Sequence, residues 1–448
     1  MLLNQSKRHL FVMTLLLGTF TMSISQSSLS TAYPTFMAYF QLPASTISWL
    51  TTGFMLIMSV VMPLSPWLMN NVPFKKLYLS LLGIFAVGTL LIILAPNFPL
   101  LMIGRLMEGF SVGVLFPSYQ SIILSITPKE QRGTTMGTVG LVMGSALAVG
   151  PILSGIILQF FSWQAIFLVF LLVLITVFCL ALKFVQSPLQ TTTSRLDFIS
   201  VIMSTGIIGL LYFINGITAM SWHDYMNWIV LATSIVLIIL FVRRQFKMPQ
   251  PLLRLDILRI TNFDLGVILT SLSYMSLITI TIIMPLYYQQ ILGLSPLWSG
   301  LSLVPAAMLL SILNKKSGQL ADKIGFKPVM LIGFSMFIAG WALLFISSDL
   351  KNVWVDILCT MLIEAGNSFS MMPATTLGAN SLKDELIPHG SSIIATVRQV
   401  LGSSAIVLAT VILGDHNFKA VFLTFMILEM VAVYLVIKIK DYSHEAAD

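Results

Sequence analysis

Hydrophobic residues in this chain occur in long runs separated by short polar segments, as in Phe167–Leu182 and Trp228–Val242. An α-helix needs about 20 mostly apolar residues to cross the hydrocarbon core of a bilayer. A membrane β-strand instead alternates apolar and polar residues. The pattern therefore predicts membrane-spanning helices rather than a barrel. It predicts fourteen spans, at residues 10–33, 47–69, 77–95, 100–125, 134–158, 163–184, 197–217, 226–243, 264–289, 297–313, 328–346, 353–377, 391–412 and 418–438.

The predicted spans fall into three groups along the chain. The longest hydrophilic connection lies near residues 243–263, and the two spans before it separate six spans on either side. We predict an N-terminal six-helix bundle at 1–190, two extra linking helices with a cytoplasmic loop at 191–260, and a C-terminal six-helix bundle at 261–448. The predicted fold class is an all-α polytopic membrane protein with 14 transmembrane helices arranged as 6+2+6.

The composition supports burial in lipid. Of 448 residues, 57% are hydrophobic and 9% are charged, whereas soluble domains are about 25% charged. Cys179 and Cys359 both lie in apolar runs, so we expect neither a disulfide framework nor a metal cluster. Lys7 and Arg8 precede the first apolar stretch, as in a signal peptide. No cleavage site followed by a soluble domain appears, so we expect a retained first span.

Lysine and arginine are distributed unevenly among the predicted loops. If the N-terminus is cytoplasmic and each span reverses the side, the opposite loops hold only Lys351 and Lys419. This distribution follows the positive-inside rule and predicts a multi-pass cell-membrane protein with both termini in the cytoplasm. It also accounts for the net charge of +7, so nucleic-acid binding is not expected. The basic residues on the cytoplasmic side are Lys75, Lys76, Lys129, Arg132, Lys183, Arg195, Arg243, Arg244, Lys247, Arg254, Arg259, Lys315, Lys316, Lys323, Lys327, Lys383, Lys438 and Lys440.

The first six and last six spans show a weak internal repeat. A proline follows Glu108 in the fourth span at the spacing at which a proline follows Glu364 in the twelfth. The segment ending at Asn70 corresponds in the same way to Gly318–Asp322. Parallel repeats of this kind build many secondary transporters. The repeat predicts that Glu108 and Glu364 occupy equivalent places in the two halves.

The segment between spans ten and eleven is a candidate conformational motif. Gly318 and Gly325 allow tight turns and close approach of helices. Asp322 can accept hydrogen bonds and pair with nearby Lys or Arg side chains. Such a cytoplasmic clamp would hold one conformation of the protein and release in another. The alternative interpretation of the same residues is a charged turn with no conformational role.

A second candidate motif lies in span five and contains Gly150, Pro151 and Gly155. Small residues let neighbouring membrane helices approach closely. Pro151 removes a backbone hydrogen bond and bends its helix. Simple tight packing would require the same residues, and their spacing alone does not distinguish the two interpretations.

Motifs of one membrane protein family follow in order along nearly the whole chain. They are Trp49–Leu56 in span two; Gly104, Arg105, Glu108, Gly109 and Pro117 in span four; Arg132 and Gly133 after it; Gly150, Pro151 and Gly155; Pro285–Gln289 with Gly293–Ser295; Gly318–Gly325; and His389–Ser391 with Arg398 and Gln399. Together they resemble the fourteen-helix drug:proton antiporter branch of the major facilitator superfamily. The resemblance implies the major facilitator fold and a conformational role for Arg398 and the glycine motifs.

Two positions depart from that family's pattern. The family usually has an acidic residue in the first span, and Ser25 stands where an aspartate is expected. A proton or cation role of the first helix therefore does not follow from the resemblance. Asn70 stands where the second copy of the clamp has Asp322, so we expect an asymmetric clamp.

Ionisable residues inside membrane helices are costly to bury, and they are candidates for function. Glu108 and Glu364 can each bind a proton or pair with a cationic substrate. A carboxylate cannot do both at once, and this exclusion would couple proton movement to substrate movement. Arg105 shares a helix face with Glu108, so a structural ion pair is the alternative for Glu108. The residues three and four positions from Glu364 are uncharged, and a hydrogen-bonded structural acid is the alternative there.

Three further acids lie in or near the spans. Glu429 lies within the last span among Met, Val and Ala, where it would face a partner helix or an accessory site. Asp264 and Asp356 lie near span ends, and we expect both at the membrane interface. The candidate proton- or substrate-binding residues are Glu108, Glu364, Arg105 and Glu429.

The resemblance implies a secondary active exporter that works by alternating access. A hydrophobic, often cationic drug would enter from the cytoplasm or the inner leaflet, and protons from outside would drive its release. The chain has no Gly-x4-Gly-Lys-Ser/Thr segment, so ATP is not expected as the direct energy source. A sodium-coupled exchanger and a narrow-specificity metabolite transporter on the same fold are the alternatives.

A membrane enzyme or sensor is a further alternative, from another class. Catalysis would need clustered reactive side chains, whereas all five histidines are expected at termini or in loops. We therefore expect no enzyme and no cofactor. The expected partners are the lipid bilayer, small hydrophobic drug substrates and protons, with no nucleic acid and no obligate protein partner.

Overall fold

The computed structural model describes residues 5–189, 191–192, 194–216, 225–414 and 417–439. This part of the chain is helical throughout its regular structure, which confirms the all-α prediction. Eleven of its helical segments are long and apolar enough to cross a membrane. The chain is therefore an integral membrane protein, since such segments need lipid around them.

The described helices form two compact units. The first unit contains α1 (Gln5–Phe40), α2 (Ala44–Ile47), α3 (Trp49–Val61), α4 (Ser65–Asn71), α5 (Phe74–Ile93), α6 (Phe98–Ser125), the part of α7 (Arg132–Phe160) that begins at Val142, α8 (Gln164–Phe184), α9 (Phe198–Ser204), α10 (Gly206–Gly216) as far as Tyr212, and α11 (Tyr225–Lys247).

The second unit contains the part of α7 that ends at Leu141, together with α12 (Thr261–Gln290), α13 (Pro296–Leu301), α14 (Val304–Ile324), α15 (Phe326–Ser347), α16 (Val353–Asn380), α17 (Ile387–Leu413) and α18 (Phe418–Ile437). The boundary between the units thus falls inside the continuous helix α7. The predicted division at residues 190 and 260, and the 6+2+6 arrangement, stay predictions.

Each predicted span coincides with helix, although some spans are divided. The predicted span 197–217 forms the short helices α9 and α10. The predicted span 47–69 is α3 and α4 joined by a 3-10 turn at Met62–Leu64, where Pro63 cannot donate a backbone hydrogen bond. The polar helices α14 and α16 are not among the eleven strongly apolar segments. The count of fourteen therefore stays a prediction.

Each unit has an aromatic core of its own. In the first unit, the ring of Phe36 lies edge-on to Trp163 with 5.2 Å between centroids. In the second unit, Trp341 is fully buried and packs against Phe422 and Phe425, whose ring centroids lie 6.0 and 5.5 Å away. Aromatic burial of this kind ties α1 to the N-terminal end of α8, and α15 to α18.

The turn between α14 and α15 depends on one glycine. Gly325 has φ of +90°, a conformation that residues with a Cβ rarely adopt, and it ends one helix and precedes the next. The predicted tight turn at this position is confirmed.

The expectation that every histidine lies at a terminus or in a loop is wrong for His389, which lies in the first turn of α17 and is buried. His9 lies near the N-terminus as expected, within the first turns of α1. His223, His416, His444 and the predicted cytoplasmic Lys440 lie outside the described residues.

Candidate functional site

A buried ion pair occupies the interior of the first unit. Arg105 and Glu108 lie one turn apart on α6, both are fully buried, and the guanidinium donates to Oε2 of Glu108. The hydroxyl of Thr89 on α5 donates to Oε1 at 2.7 Å. Helices α5 and α6 approach closely here, since a Cβ on Gly88 would lie 2.7 Å from the carbonyl oxygen of Gly104. This is the geometry of the ion-pair alternative for Glu108.

Other helices complete the surroundings of this pair. The Nε of Arg105 donates to the carbonyl oxygen of Leu50 at 3.4 Å, and the guanidinium lies over the ring of Phe54 at 4.4 Å from its centroid. The hydroxyl of Ser25 is close enough to interact with the carboxylate of Glu108, but it is outside hydrogen-bond geometry. The position of the family's first-helix acid thus lies beside this pair.

Glu364 is buried in the second unit and forms no ion pair with any described residue. It lies on α16, is 5% exposed, and its Oε2 has no hydrogen-bond partner among the described residues. The polar neighbours on its helix bond elsewhere: Asn367 donates to the carbonyl oxygen of Ser273 at 3.1 Å, and Ser368 to that of Leu310 at 3.0 Å. The neighbours that could have made Glu364 a structural acid therefore do not hold its carboxyl group.

Glu429 is a second buried acid of this unit. It lies on α18 and is 1% exposed. Ser276 on α12 donates to Oε1 of Glu429, and Trp341 on α15 donates to the same serine hydroxyl at 3.4 Å. The other carboxylate oxygen, Oε2, has no partner in the part of the chain that the structure describes. Glu429 thus faces partner helices, which is one of the two placements considered from the sequence.

The two acids expected at the interface differ from each other. Asp264 is half-buried in the first turn of α12, near the end of its helix as expected. Asp356 is only 1% exposed, so protein encloses it although it lies in the first turn of its helix; its place at the membrane interface stays a prediction. The groups that interact with Asp356 electrostatically are Tyr287 and Tyr288 at the end of α12 and Cys359 on its own helix.

The clamp motif holds the start of α7. Oδ1 of Asp322 accepts a hydrogen bond from the backbone N–H of Gly133 at 2.8 Å, and Oδ2 accepts one from Thr134 at 2.7 Å. These N–H groups have no partner within their own helix, and a carboxylate at a helix N-terminus is favoured by the helix dipole. Gly318 allows the close approach, because a Cβ there would overlap the carbonyl oxygen of Gly133.

Arg132, the residue before this contact, binds a different group. Its guanidinium forms a salt bridge with Asp384 at 2.9 Å and donates to Oδ1 of Asn380 at 3.2 Å. The sequence singled out Arg132 and Gly133 as a motif. It could not indicate that the backbone of Gly133, rather than a Lys or Arg side chain, would be the partner of Asp322.

The first copy of the clamp makes different contacts. The carbonyl oxygen of Asn70 accepts a hydrogen bond from the backbone of Thr192 at 2.7 Å. Asn71 exchanges hydrogen bonds with Ser194, and Trp67 donates to the carbonyl oxygen of Ser194 at 3.2 Å. This copy therefore fixes the segment that follows α8, whereas the second copy fixes a helix terminus.

The glycine motif of α7 packs against α1 at one of its two glycines. A Cβ on Gly150 would overlap the hydroxyl of Ser27, which itself donates to the carbonyl oxygen of Ala146 at 3.0 Å. A Cβ on Gly155 would meet nothing within 4 Å, so Gly155 does not mediate close packing. Pro151 lies within α7, which continues as one helix on both sides of it.

Arg398 lies on α17, and its guanidinium is 5.3 Å from the ring centroid of Tyr274 on α12. A cation over an aromatic ring is attracted by the ring's quadrupole. Through this contact Arg398 packs α17 against α12. Its conformational role stays a prediction.

One ion pair at the ends of two helices was not predicted. Asp197, just before α9, accepts two hydrogen bonds from Arg244 at the end of α11, at 2.7 and 2.9 Å. The hydrogen bonds from Arg244 lower the pKa of the Asp197 carboxyl to about 2. The partners are too far apart in the chain for spacing to pair them, and the loop charges gave no other signal.

Comparisons with known proteins give the family. The sequence profile of the Major Facilitator Superfamily matches residues 15–406. The Lincomycin resistance protein LmrB of Bacillus subtilis is 32% identical, over 91% of this chain and 86% of that protein. The Multidrug resistance protein B homolog of Mycobacterium tuberculosis is 27% identical, over 86% of this chain and 72% of that protein.

Two further similarities are to a relative named for another substrate and to a solved structure of low sequence identity. The Riboflavin transporter RibZ of Clostridioides difficile is 26% identical, over 86% of this chain and 83% of that protein. The crystal structure of the human organic anion transporter MFSD10 superposes with a TM-score of 0.72 at 14% identity, covering 96% of this chain and 99% of that one. At that identity the structural likeness shows the fold alone.

Proposed function

Because the chain belongs to the drug-efflux branch of the Major Facilitator Superfamily, we propose that it is a proton-coupled antiporter that exports hydrophobic cationic drugs by alternating access. We propose further that it lies in the cell membrane with both termini in the cytoplasm, as the distribution of basic loop residues predicts. Transporters of this family are in general not enzymes, and no catalytic role is proposed.

The observation that carries the proposal is that the carboxyl group of Glu364 is buried and that its Oε2 has no hydrogen-bond partner among the described residues. An ionised carboxylate buried without a partner costs several kcal/mol, so such a group binds a proton or a cation. No described side chain donates to Oε2 of Glu364. A bound proton and a bound cationic drug would therefore compete for it, and this competition is the coupling between drug export and proton entry.

Arg105 and Glu108 have a different part in the proposal. Their buried pair already satisfies the charge of Glu108, so we assign proton exchange in this state to Glu364 and not to Glu108. Glu108 would take up a proton only in a conformation in which the pair is open. We assign Glu429 an accessory role, because Ser276 donates to one of its oxygens and no described group donates to the other.

The contact of Asp322 with α7 supports the conformational part. In an alternating-access cycle such a contact holds one state and breaks in the other. We propose that the Gly318–Gly325 motif performs this function through the start of α7. Gly150 and Pro151 on α7 and Arg398 on α17 would set how those helices pack while the contact opens and closes.

A narrow-specificity metabolite transporter is the second candidate. The relative named as a riboflavin transporter covers most of this chain at 26% identity, a value close to that of the multidrug relative. Sodium in place of protons is the alternative for coupling, because a buried carboxylate also suits a small cation. Both alternatives keep the fold and the carboxyl group and change only the ligands.

Transport by the purified protein in liposomes tests the proposal. Ethidium, lincomycin and riboflavin are supplied separately, with a pH-sensitive dye inside and with sodium replaced by choline. We expect ethidium uptake into the vesicles to be accompanied by proton release, sodium-independent, and lost in Glu364→Gln. Normal coupling in Glu364→Gln would refute the mechanism. Transport of riboflavin alone would favour the metabolite candidate.

A further inference from the structure

A line of buried polar residues extends along α16 on one side of Glu364. Asp356, Thr360 and Glu364 follow at intervals of four residues, which places them on one face of the helix. They are 1%, 0% and 5% exposed. A rise of 1.5 Å per residue puts the Cα atom of Asp356 about 12 Å from that of Glu364 along the helix axis. The line thus reaches from the end of α16 to the acid of the proposed mechanism.

Polar atoms without hydrogen-bond partners occur along this line in the described chain. They are both carboxylate oxygens of Asp356, Oε2 of Glu364, Oδ1 of Asn367 and the hydroxyl of Tyr288. The Tyr288 hydroxyl on α12 approaches Thr360 without reaching hydrogen-bond geometry. Buried polar groups are nearly always satisfied by protein or by ordered water. Several such groups on one helix face are the lining that a chain of water molecules requires.

We propose that Asp356, Thr360 and Tyr288 line a water-containing path that carries protons from the extracellular end of α16 to Glu364. The proposal rests on the proposed coupling role of Glu364. The distribution of basic residues puts Lys351, just before α16, on the extracellular side. The Asp356 carboxylate accepts a proton from external water and passes it through the path to the Glu364 carboxylate. One proton moves in each step, and Asp356 returns to its starting state.

The groups that face Asp356 suit this task. The titratable ones are Tyr287 and Tyr288 from α12 and Cys359 from its own helix. In the described chain, α14, α15 and α17 present no charged group that acts on its carboxylate. The acid that follows α15, Asp349, is paired with Lys419 at 2.6 Å. Among the described residues, no basic side chain therefore holds Asp356 as an ion pair, and its carboxylate is available to protons.

The test follows protonation of Glu364 without any drug. The full-length protein is reconstituted in vesicles, and the infrared carboxyl band that disappears in Glu364→Gln identifies this residue. A pH jump is then applied on the side of the Lys351 loop. We expect Asp356→Asn to slow the response of the band on the order of 100-fold, as expected for loss of a positioned proton-transfer group. Asp356→Glu should respond like the wild type.

A matched control and a second variant complete the test. Asp349→Asn removes a carboxylate that is 77% exposed at the same end of the unit, and its rate should equal that of the wild type. Thr360→Val keeps the side-chain shape and removes the hydroxyl, and it should also slow the response of the Glu364 band to the pH jump. Equal rates in Asp356→Asn and Asp349→Asn, or a wild-type rate in Thr360→Val, would overturn the path.

The results distinguish failure of the proton path from failure of the proposed coupling role of Glu364. If Asp356→Asn slows the band while Glu364→Gln still couples drug to protons, the path stands and the coupling role of Glu364 is wrong. If Glu364→Gln abolishes coupling while Asp356→Asn responds at the wild-type rate, the function stands and the path is wrong.

Discussion

The contact between Asp322 and the start of α7 can be removed in two stages. Asp322→Ala deletes both acceptors, and Asp322→Asn keeps one uncharged acceptor oxygen for Gly133 or Thr134. Hydrogen bonds to charged groups contribute about 1.5–3 kcal/mol each, and loss of a helix N-terminal cap costs about 0.5–2 kcal/mol. Because both bonds end on one carboxylate, we expect Asp322→Ala to cost about 2 kcal/mol, a factor of about 30 in an equilibrium.

Amide hydrogen exchange measures this loss directly. Exchange at protected amides reports the free energy of local opening. In nanodisc-embedded protein, the amides of Gly133 and Thr134 should exchange about 30-fold faster in Asp322→Ala, by the same conversion, and by less in Asp322→Asn. The control is Asp384→Ala, which removes the partner of Arg132. Since Asp384 is 65% exposed, its loss should change these rates little.

Unchanged exchange in Asp322→Ala would refute the reasoning. It would mean that other contacts protect the first turn of α7 and that Asp322 does not hold it. Equal acceleration in Asp322→Ala and Asp384→Ala would likewise mean that loss of any acid in this region loosens the helix.

The remaining predictions concern stability. Gly318→Ala should cost about 1–3 kcal/mol through overpacking, whereas Gly155→Ala, with open space around it, should not lower the thermal midpoint. Glu108→Gln should cost about 3–5 kcal/mol because it strands a buried arginine; Glu364→Gln removes an unpartnered carboxyl and should leave the midpoint unchanged or raised. The pKa of Asp197 is lowered to about 2, so its stabilisation is full above about pH 4 and is lost as the pH falls towards 2. The difference in midpoint between wild type and Asp197→Asn should shrink correspondingly, and a constant difference would contradict this.

Much of the fold could be predicted from hydropathy, because lipid demands about 20 apolar residues in series. Helix α8 spans Gln164–Phe184 against a predicted 163–184. Hydropathy could not give the full length of α1, which continues to Phe40 because Phe36 packs on Trp163. Nor could it give the break before Gly206, where the backbone of Ser234 on α11 comes close to this glycine.

The candidate site was predictable only where its residues share a helix. A spacing of three indicated that Arg105 and Glu108 could pair, and they do. Thr89, which comes from the preceding helix, could not be assigned because no sequence spacing encodes that contact. The enclosure of Asp356 could not be predicted for the same reason, since Tyr288, which interacts with it, comes from α12.

The Arg105–Glu108 pair has a consequence for the energy source of transport. With Ser25 where the family usually has an acid, the pair leaves the described interior of the first unit electrically neutral. If Glu364 alone exchanges one proton for one monovalent cation, a complete cycle moves no net charge. The membrane potential, which is worth about 2.3 kcal/mol per charge per 100 mV, then contributes nothing. Export would be electroneutral, and export against a drug gradient would be driven by the pH difference alone and would stop in a medium as alkaline as the cytoplasm.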